Sequence, residues 1–310
     1  MIAIHDSYFQ IGIDHWLAHN QPQLPHQSSH GDVQEQAGRL VSTNLKVVGA
    51  TIMPFPSVAG RDYSEANSLV RSTAADSSCA IPLFPVYAII PCDGGMITWL
   101  DAVVRKEGCF GIKLWPYMGR FSLDQLLEDQ PLIDLIVRNR LVVFMHVGTG
   151  REPETRPAFP NVSAGPSTAV HVAQELPEIR FVMGHLLRLS VPNLERAAEL
   201  DNVFLDTSGL SSIGLWQEGG RDGLFADDAG SFTTEPPPRI ITRLVKEMGF
   251  GRRLLYGSNW PFCEWWGGSP AAEVNPILEA GITDEERGAV LLRNADELFS
   301  GKVLRGSKGE

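Results

Sequence analysis

The 310-residue sequence holds only four cysteines, Cys79, Cys92, Cys109 and Cys263, and no two stand at the short spacing of a zinc ribbon or a disulfide framework. They read as reduced thiols, and Cys263 has no nearby base in sequence to make it a nucleophile. Apolar runs long enough to cross a bilayer, roughly 18 residues, are missing. Met1 to His5 lacks the basic start and apolar centre of a signal peptide, so the expectation is a soluble, cytoplasmic protein with no membrane partner. Basic tracts are missing as well: a formal net charge of -11 argues against a nucleic-acid partner, because phosphate binding needs clustered Lys and Arg. There is no Gly-rich phosphate loop, no internal repeat and no low-complexity linker, which leaves one domain over residues 1–310. The expected partner is a small-molecule substrate, and association into a homo-oligomer is compatible with the sequence.

Eight short β-branched or apolar runs are present: Ile2 to His5, Lys46 to Met53, Ala80 to Tyr87, Phe110 to Trp115, Leu141 to Val147, Ile179 to His185, Val203 to Thr207 and Arg253 to Gly257. Helical patterns lie between most of them, clearest at Pro192 to Leu200 and Arg239 to Met248, where apolar residues recur at three- and four-residue spacing. Thr283-Asp284-Glu285-Glu286 is a capping box. Strands alternating with helices imply parallel pairing through right-handed crossovers, and eight such units predict a (β/α)8 TIM barrel of the α/β class. Two irregular segments, one holding His15, His19, His26 and His30 and the other running from Trp216 to Pro238, are expected above the barrel mouth.

Chemistry in such a barrel sits at the carboxyl ends of the strands. By the predicted strands, His5 closes the first, Lys113 lies in the fourth, His146 in the fifth, His185 ends the sixth, Asp206 lies in the seventh and Asn259 follows the eighth. A single histidine at such a place is more often a hydrogen-bonded structural residue than a catalyst, but three at matching strand ends point to a site. Asp-Thr-Ser-Gly at 206–209 also makes a good strand-ending turn, which weighs toward structure for Thr207 and evenly for Asp206. Six of the seven tryptophans, Trp115 and Trp260 among them, fall in or beside segments after strands. With Tyr117, Phe121 and Phe262 they predict an aromatic-walled pocket, although lid packing accounts equally well for each singly. Lys113, Arg120, Arg151, Arg156 and Arg188 gather on the same face, where an arginine can hold a carboxylate through two hydrogen bonds.

These residues stand in Gly111-Ile112-Lys113, His146-Val147-Gly148, Phe181 to Leu186, Leu205 to Gly209 and Tyr256 to Pro261, followed by Asn294 to Phe299. In that order and spacing the chain resembles the amidohydrolase-2 branch of the amidohydrolase superfamily over nearly its whole length. The resemblance implies a metal-dependent hydrolase, a lactonase or a non-oxidative decarboxylase of small acids. The family's usual site has a His-x-His pair on the first strand, a histidine on the fifth, another on the sixth and an aspartate after the eighth. Here His5 matches the first histidine, Ser7 stands in place of the second, His146 and His185 match the fifth- and sixth-strand positions, and Asn259 replaces the aspartate. A neutral carboxamide is a weak ligand and no general base, so no tightly bound metal is expected. Zinc held by His5, His146 and His185 is the alternative.

The expected activity is hydrolysis of a lactone, ester or amide in a small, aromatic or hydrophobic carboxylate. His185 would serve as acid or base, His5 and His146 would polarise the carbonyl or orient water, and Asn259 would donate to the oxyanion. Lys113 and Arg188 would hold the substrate acid beside Ser7, Trp115 and Trp260. Two other readings are a non-oxidative decarboxylase and a catalytically silent ligand-binding barrel.

Overall fold

Each apolar run of the sequence forms a strand, and the eight strands pair in chain order, every one parallel to the next. A computed structural model describes residues 2–11, 44–55, 63–75, 79, 81–148, 162–211, 235–260, 263 and 269–299. The strands are β1 (Ile2–Ile11), β2 (Leu45–Pro54), β3 (Leu83–Ala88), β4 (Gly111–Leu114), β5 (Val142–Met145), β6 (Phe181–Met183), β7 (Val203–Asp206) and β8 (Leu254–Leu255). Between them lie α1 (Ser64–Ala75), α2 (Gly94–Lys106), α3 (Pro116–Gly119), α4 (Gln130–Asn139), α5 (Pro166–Glu175), α6 (Val191–Ala198) and α7 (Pro237–Lys246). α8 (Pro270–Glu279), α9 (Asp284–Gly288) and α10 (Asn294–Phe299) follow β8. This is the (β/α)8 barrel expected from the alternation.

Helix starts follow local chemistry. Asp93 caps α2 by accepting from the backbone of Gly95 and Met96, and Arg105 and Lys106 complement the dipole in its last turn. Thr283 and Glu286 form the reciprocal capping box at α9. The last helix closes the barrel's amino-terminal end: Phe299 packs on Phe84, Phe110 and Phe144. Asn294 ties the same helix to the wall by donating to the carbonyls of Gly251 and Leu254 at 3.0 and 2.8 Å.

The first strand departs most from expectation. It continues six residues beyond His5 to Ile11, because the polar residues His5, Asp6 and Ser7 are all buried inside the barrel and do not end it. At the other end of the sheet β8 has only two residues, and the barrel is closed by side chains as much as by backbone. Asp6 accepts from the backbone N–H of Ser258 at 2.9 Å, from the Ser258 hydroxyl at 2.5 Å and from Tyr8 N–H at 3.2 Å. Ser7 N–H donates to the Tyr256 carbonyl at 2.9 Å, its hydroxyl donates to the same oxygen, and Gln10 N–H donates to Trp260 at 3.0 Å.

Charge-assisted bonds of this kind contribute about 1.5–3 kcal/mol each, and a buried donor left unpaired costs a similar amount. Asp6→Ala should therefore lower the unfolding free energy in urea by about 3 kcal/mol or more, with Asp6→Asn in between. An unchanged denaturation midpoint in Asp6→Ala would remove the seam from the account of stability.

Candidate functional site at the carboxyl end of the barrel

The described carboxyl end of the barrel gathers Tyr8, Lys113, His146, His185, Arg188, Asp206 and Ser208, all buried. The turn after β6 does most to assemble them. His185, Leu186, Leu187, Arg188 and Leu189 all have φ between 49° and 58°, a left-handed turn of five residues that are not glycine. Each costs about 1–2 kcal/mol relative to the right-handed form, so the surroundings must hold it. They do so through the buried Leu186, Leu187 and Leu189, through Arg188 Nε donating to the Val147 carbonyl, and through His185 bonding to Ser208.

The histidine pair has an assignable proton pattern. His185 Nδ1 lies 2.9 Å from the Ser208 carbonyl, which can only accept, so Nδ1 carries the proton. Burial, helped by Arg188 and His146, holds His185 well below the ordinary histidine range, so its Nε2 is a lone pair. That atom faces His146 Nδ1 at 3.3 Å, which must then donate. Trp115 stacks on His146 at 4.8 Å and fixes the ring.

Beside it is an amine–acid group. Lys113 Nζ donates to the Tyr8 hydroxyl and lies 4.0 Å from the Tyr8 ring centroid. The Tyr8 ring meets His185 at 5.3 Å, so Tyr8 joins the two halves of the site. Burial pushes Lys113 well below the ordinary lysine range, against the pull of Asp206. Burial likewise raises Asp206, to about 7, against its bonds with Ser208 and the charge of Lys113. Its Oδ1 accepts from Ser208 N–H at 2.8 Å, while buried Oδ2 has no hydrogen-bond partner among the described residues. Gly257 makes this approach possible, since a Cβ there would stand 2.6 Å from Asp206 Oδ2 and 2.7 Å from Tyr8 Cβ.

Other residues named from the sequence lie elsewhere. His5 is not at the mouth: its ring stacks on Phe299 and lies tilted against Phe84 at the barrel floor, and its Nε2 meets Thr51 Oγ1 at 3.1 Å. The early end assigned to β1 caused this misplacement, and with it falls the three-histidine zinc site. Ser7 and Trp260 belong to the closing seam rather than to a pocket wall: Trp260 is fully buried and stacks on Phe9 at 6.5 Å. Asn259 is near the mouth with φ 54°, a backbone that asparagine tolerates, and its Oδ1 accepts from Gln10 Nε2 at 2.8 Å. Burial weakens Lys113 as a carboxylate clamp and leaves Arg188 as the cation of the group, its guanidinium lying against Gly148. Tyr8 and Gln10 were not foreseen; the signal was the Tyr-Phe-Gln-Ile run that extends β1.

The histidines of the segment after β1, Arg151, Arg156, Phe262 and the tryptophans at 16, 216, 265 and 266 lie outside the described residues. All four cysteines are free thiols, and among the described residues no helix is long and apolar enough to cross a membrane. A cavity of about 700 Å³ lies apart from this group, beside α1 and the start of β3, where Arg71 and Glu107 pair across it.

A family model described as "Amidohydrolase" matches residues 66–301 of the chain. No curated protein matches it in sequence. Among solved structures it is similar to an amidohydrolase from Burkholderia multivorans with bound zinc, at 13% identity and a TM-score of 0.64, over 96% of this chain and 99% of that one. It is also similar to 5-carboxyvanillate decarboxylase from Sphingomonas paucimobilis, at 14% identity and a TM-score of 0.63, covering 97% and 99%. A third is the dihydroxybenzoic acid decarboxylase from Polaromonas sp. JS666 with bound manganese and 2-nitroresorcinol, at 15% identity and a TM-score of 0.61, covering 98% of both chains.

The described side chains do not by themselves fit a divalent cation. The two mouth imidazoles bond to each other, the carboxamides of Gln10 and Asn259 bond to each other, and among the described residues no three His, Cys, Asp or Glu side chains converge.

Two measurements check this geometry. Nitrogen-15 spectra of the imidazoles should show His185 as the Nδ1–H tautomer, uncharged at pH 6.5, and an imidazolium signature there would undo the proton assignment. The second concerns the floor, where burial lowers His5 from 6.5 to about 3. The folded state then rejects a proton that the unfolded chain accepts, so this stability is complete above pH 6.5 and is lost as pH falls toward 3. His5→Leu should flatten the pH dependence of unfolding in that window.

Proposed function

The chain belongs to the amidohydrolase family, and we propose that within it the protein is a non-oxidative decarboxylase of a small aromatic carboxylate. The observation that carries this reading is Asp206, a carboxyl group raised to about 7 by burial, with one oxygen unbonded among the described residues. Loss of carbon dioxide leaves an electron pair on carbon, which needs a proton rather than water. A carboxylic acid kept neutral at physiological pH is a suitable donor. Support also comes from the two structural relatives that decarboxylate aromatic acids, a likeness that in itself shows the fold.

In this mechanism Arg188 pairs with the incoming acid, and Trp115 and Tyr8 supply the aromatic surface a ring would meet. As the carbon–carbon bond breaks, Asp206 Oδ2 passes its proton to the carbon. The carboxylate that remains is stabilised by Ser208 N–H and by the neighbouring Lys113, and it regains its proton from solvent. No step is assigned to a metal, because the described donor set does not fit one.

One observation favours a hydrolytic second reading. The Ser208–His185–His146 relay ends at His146 Nε2, the atom that would take a proton from water in a hydrolysis.

A panel of hydroxybenzoic acids and aryl lactones in oxygen-18 water separates the two. The expected result is carbon dioxide release without label in the aromatic product; labelled acid without carbon dioxide would establish the hydrolase. Asp206→Asn should lower kcat about 100-fold or more. Because the acid must be protonated, activity should be present below and lost as pH rises through about 7. Turnover that disappears on chelation and returns with manganese would overturn the metal-free mechanism.

A further inference from the structure

We propose that Lys113 is a nucleophile that forms an imine with an aldehyde or ketone group of a ligand bound at the barrel mouth. Lys113 is the third of four residues in β4 and is fully buried at the strand's carboxyl end. Among the described residues it makes no ion pair, and its hydrogen bond goes to the Tyr8 hydroxyl. Its amine sits over two aromatic faces, 4.0 Å from the centroid of Tyr8 and 5.6 Å from that of Trp115. A lysine retained only for packing would be replaced at little cost by an apolar residue, since burying its amine brings a desolvation penalty. The same desolvation favours the uncharged amine, whose nitrogen carries the lone pair that a nucleophile needs.

Imine formation also needs a proton for the carbonyl oxygen and another for the departing water, and two groups stand ready. The lone pair of Nζ attacks the carbonyl carbon, a C–N bond forms as the C=O π bond breaks, and Tyr8 gives its proton to the oxygen. The nitrogen, now cationic, returns a proton to the Tyr8 oxygen. Asp206 then protonates the carbinol hydroxyl, which leaves as water while nitrogen and carbon form the double bond. The products are an iminium on Lys113, one water and the Asp206 carboxylate as its counter-ion. Gly257 leaves room for Asp206 Oδ2 beside the Cβ of Tyr8, and Asp206 interacts electrostatically with Lys113, which keeps the acid near the amine.

The inference does not depend on decarboxylation, because an imine forms at a carbonyl whether or not a carboxylate later leaves. The test uses the full chain at pH 7 with sodium cyanoborohydride and either pyruvate or benzaldehyde, followed by peptide mass spectrometry. Exposed Lys46, Lys106 and Lys246 are internal references. Lys113 should be reduced to a stable secondary amine at least about tenfold faster than these three, the ratio that a single unit of pKa provides. Lys113→Met should lose that adduct and keep the surface labelling. Tyr8→Phe, which preserves the ring, should slow it about tenfold with an unchanged circular dichroism spectrum. Labelling confined to surface lysines with both probes, or an unaffected rate in Tyr8→Phe, overturns the proposal. An adduct on Lys113 in a protein that releases no carbon dioxide would leave this inference standing and remove the decarboxylase reading.

Discussion

Closure of the barrel between a ten-residue first strand and a two-residue last one is the constraint on which the site depends. Backbone pairing alone gives such a short strand little hold, so the buried carboxylate of Asp6 supplies it by accepting two bonds from Ser258. The consequence reaches beyond stability. With Asp6 committed to the seam, the residues after it on β1 project Tyr8 toward Lys113 and His185, and Gln10 toward Asn259. Ser7, at one position where the resemblance expects a metal ligand, is therefore spent on closing the wall, and Asn259, at another, on an amide–amide bond.

What remains at the mouth is chemistry tuned by desolvation. An isolated charge in a medium of low dielectric is costly, and the groups here respond by favouring their neutral forms: an amine at Lys113, an acid at Asp206 and an imidazole at His185. Lys113 and Asp206 attract each other electrostatically, yet burial is the larger influence on both and shifts each toward its neutral form. A neutral base and a neutral acid held side by side are the ingredients of proton transfer to carbon and of carbonyl addition. They are poor ingredients for anchoring an anion, and in the proposed function that task falls to Arg188.

The fold was legible because strand and helix periods alternate along the chain and each apolar run is bounded by turn residues. The site was legible in part. Lys113, His146, His185 and Asp206 follow from their places at the ends of β4 to β7, where short buried strands stop within a residue or two of where the pattern stops. β1 defeated the same logic. His-Asp-Ser reads as the polar end of a strand, but a barrel strand can bury polar residues on both sides when each finds a partner, and here Thr51, Ser258 and Tyr256 supply those partners. The error moved His5 from floor to mouth and hid Tyr8 and Gln10.

The left-handed turn at 185–189 shows why the arrangement outweighs its local cost. A right-handed continuation after β6 would carry His185 and Arg188 on a different path from the strand end, whereas the observed φ values let His185 reach Ser208 and His146 while Arg188 reaches the carbonyl of Val147. Five left-handed residues together cost several kcal/mol, on the order of a large share of a domain's net stability. Such a sum persists only where packing over-determines the backbone, and three buried leucines in the same turn provide that packing. Strain of this size is confined to the segment that carries an imidazole and a guanidinium to the strand ends, where the bonds to Ser208, His146 and Val147 depend on it.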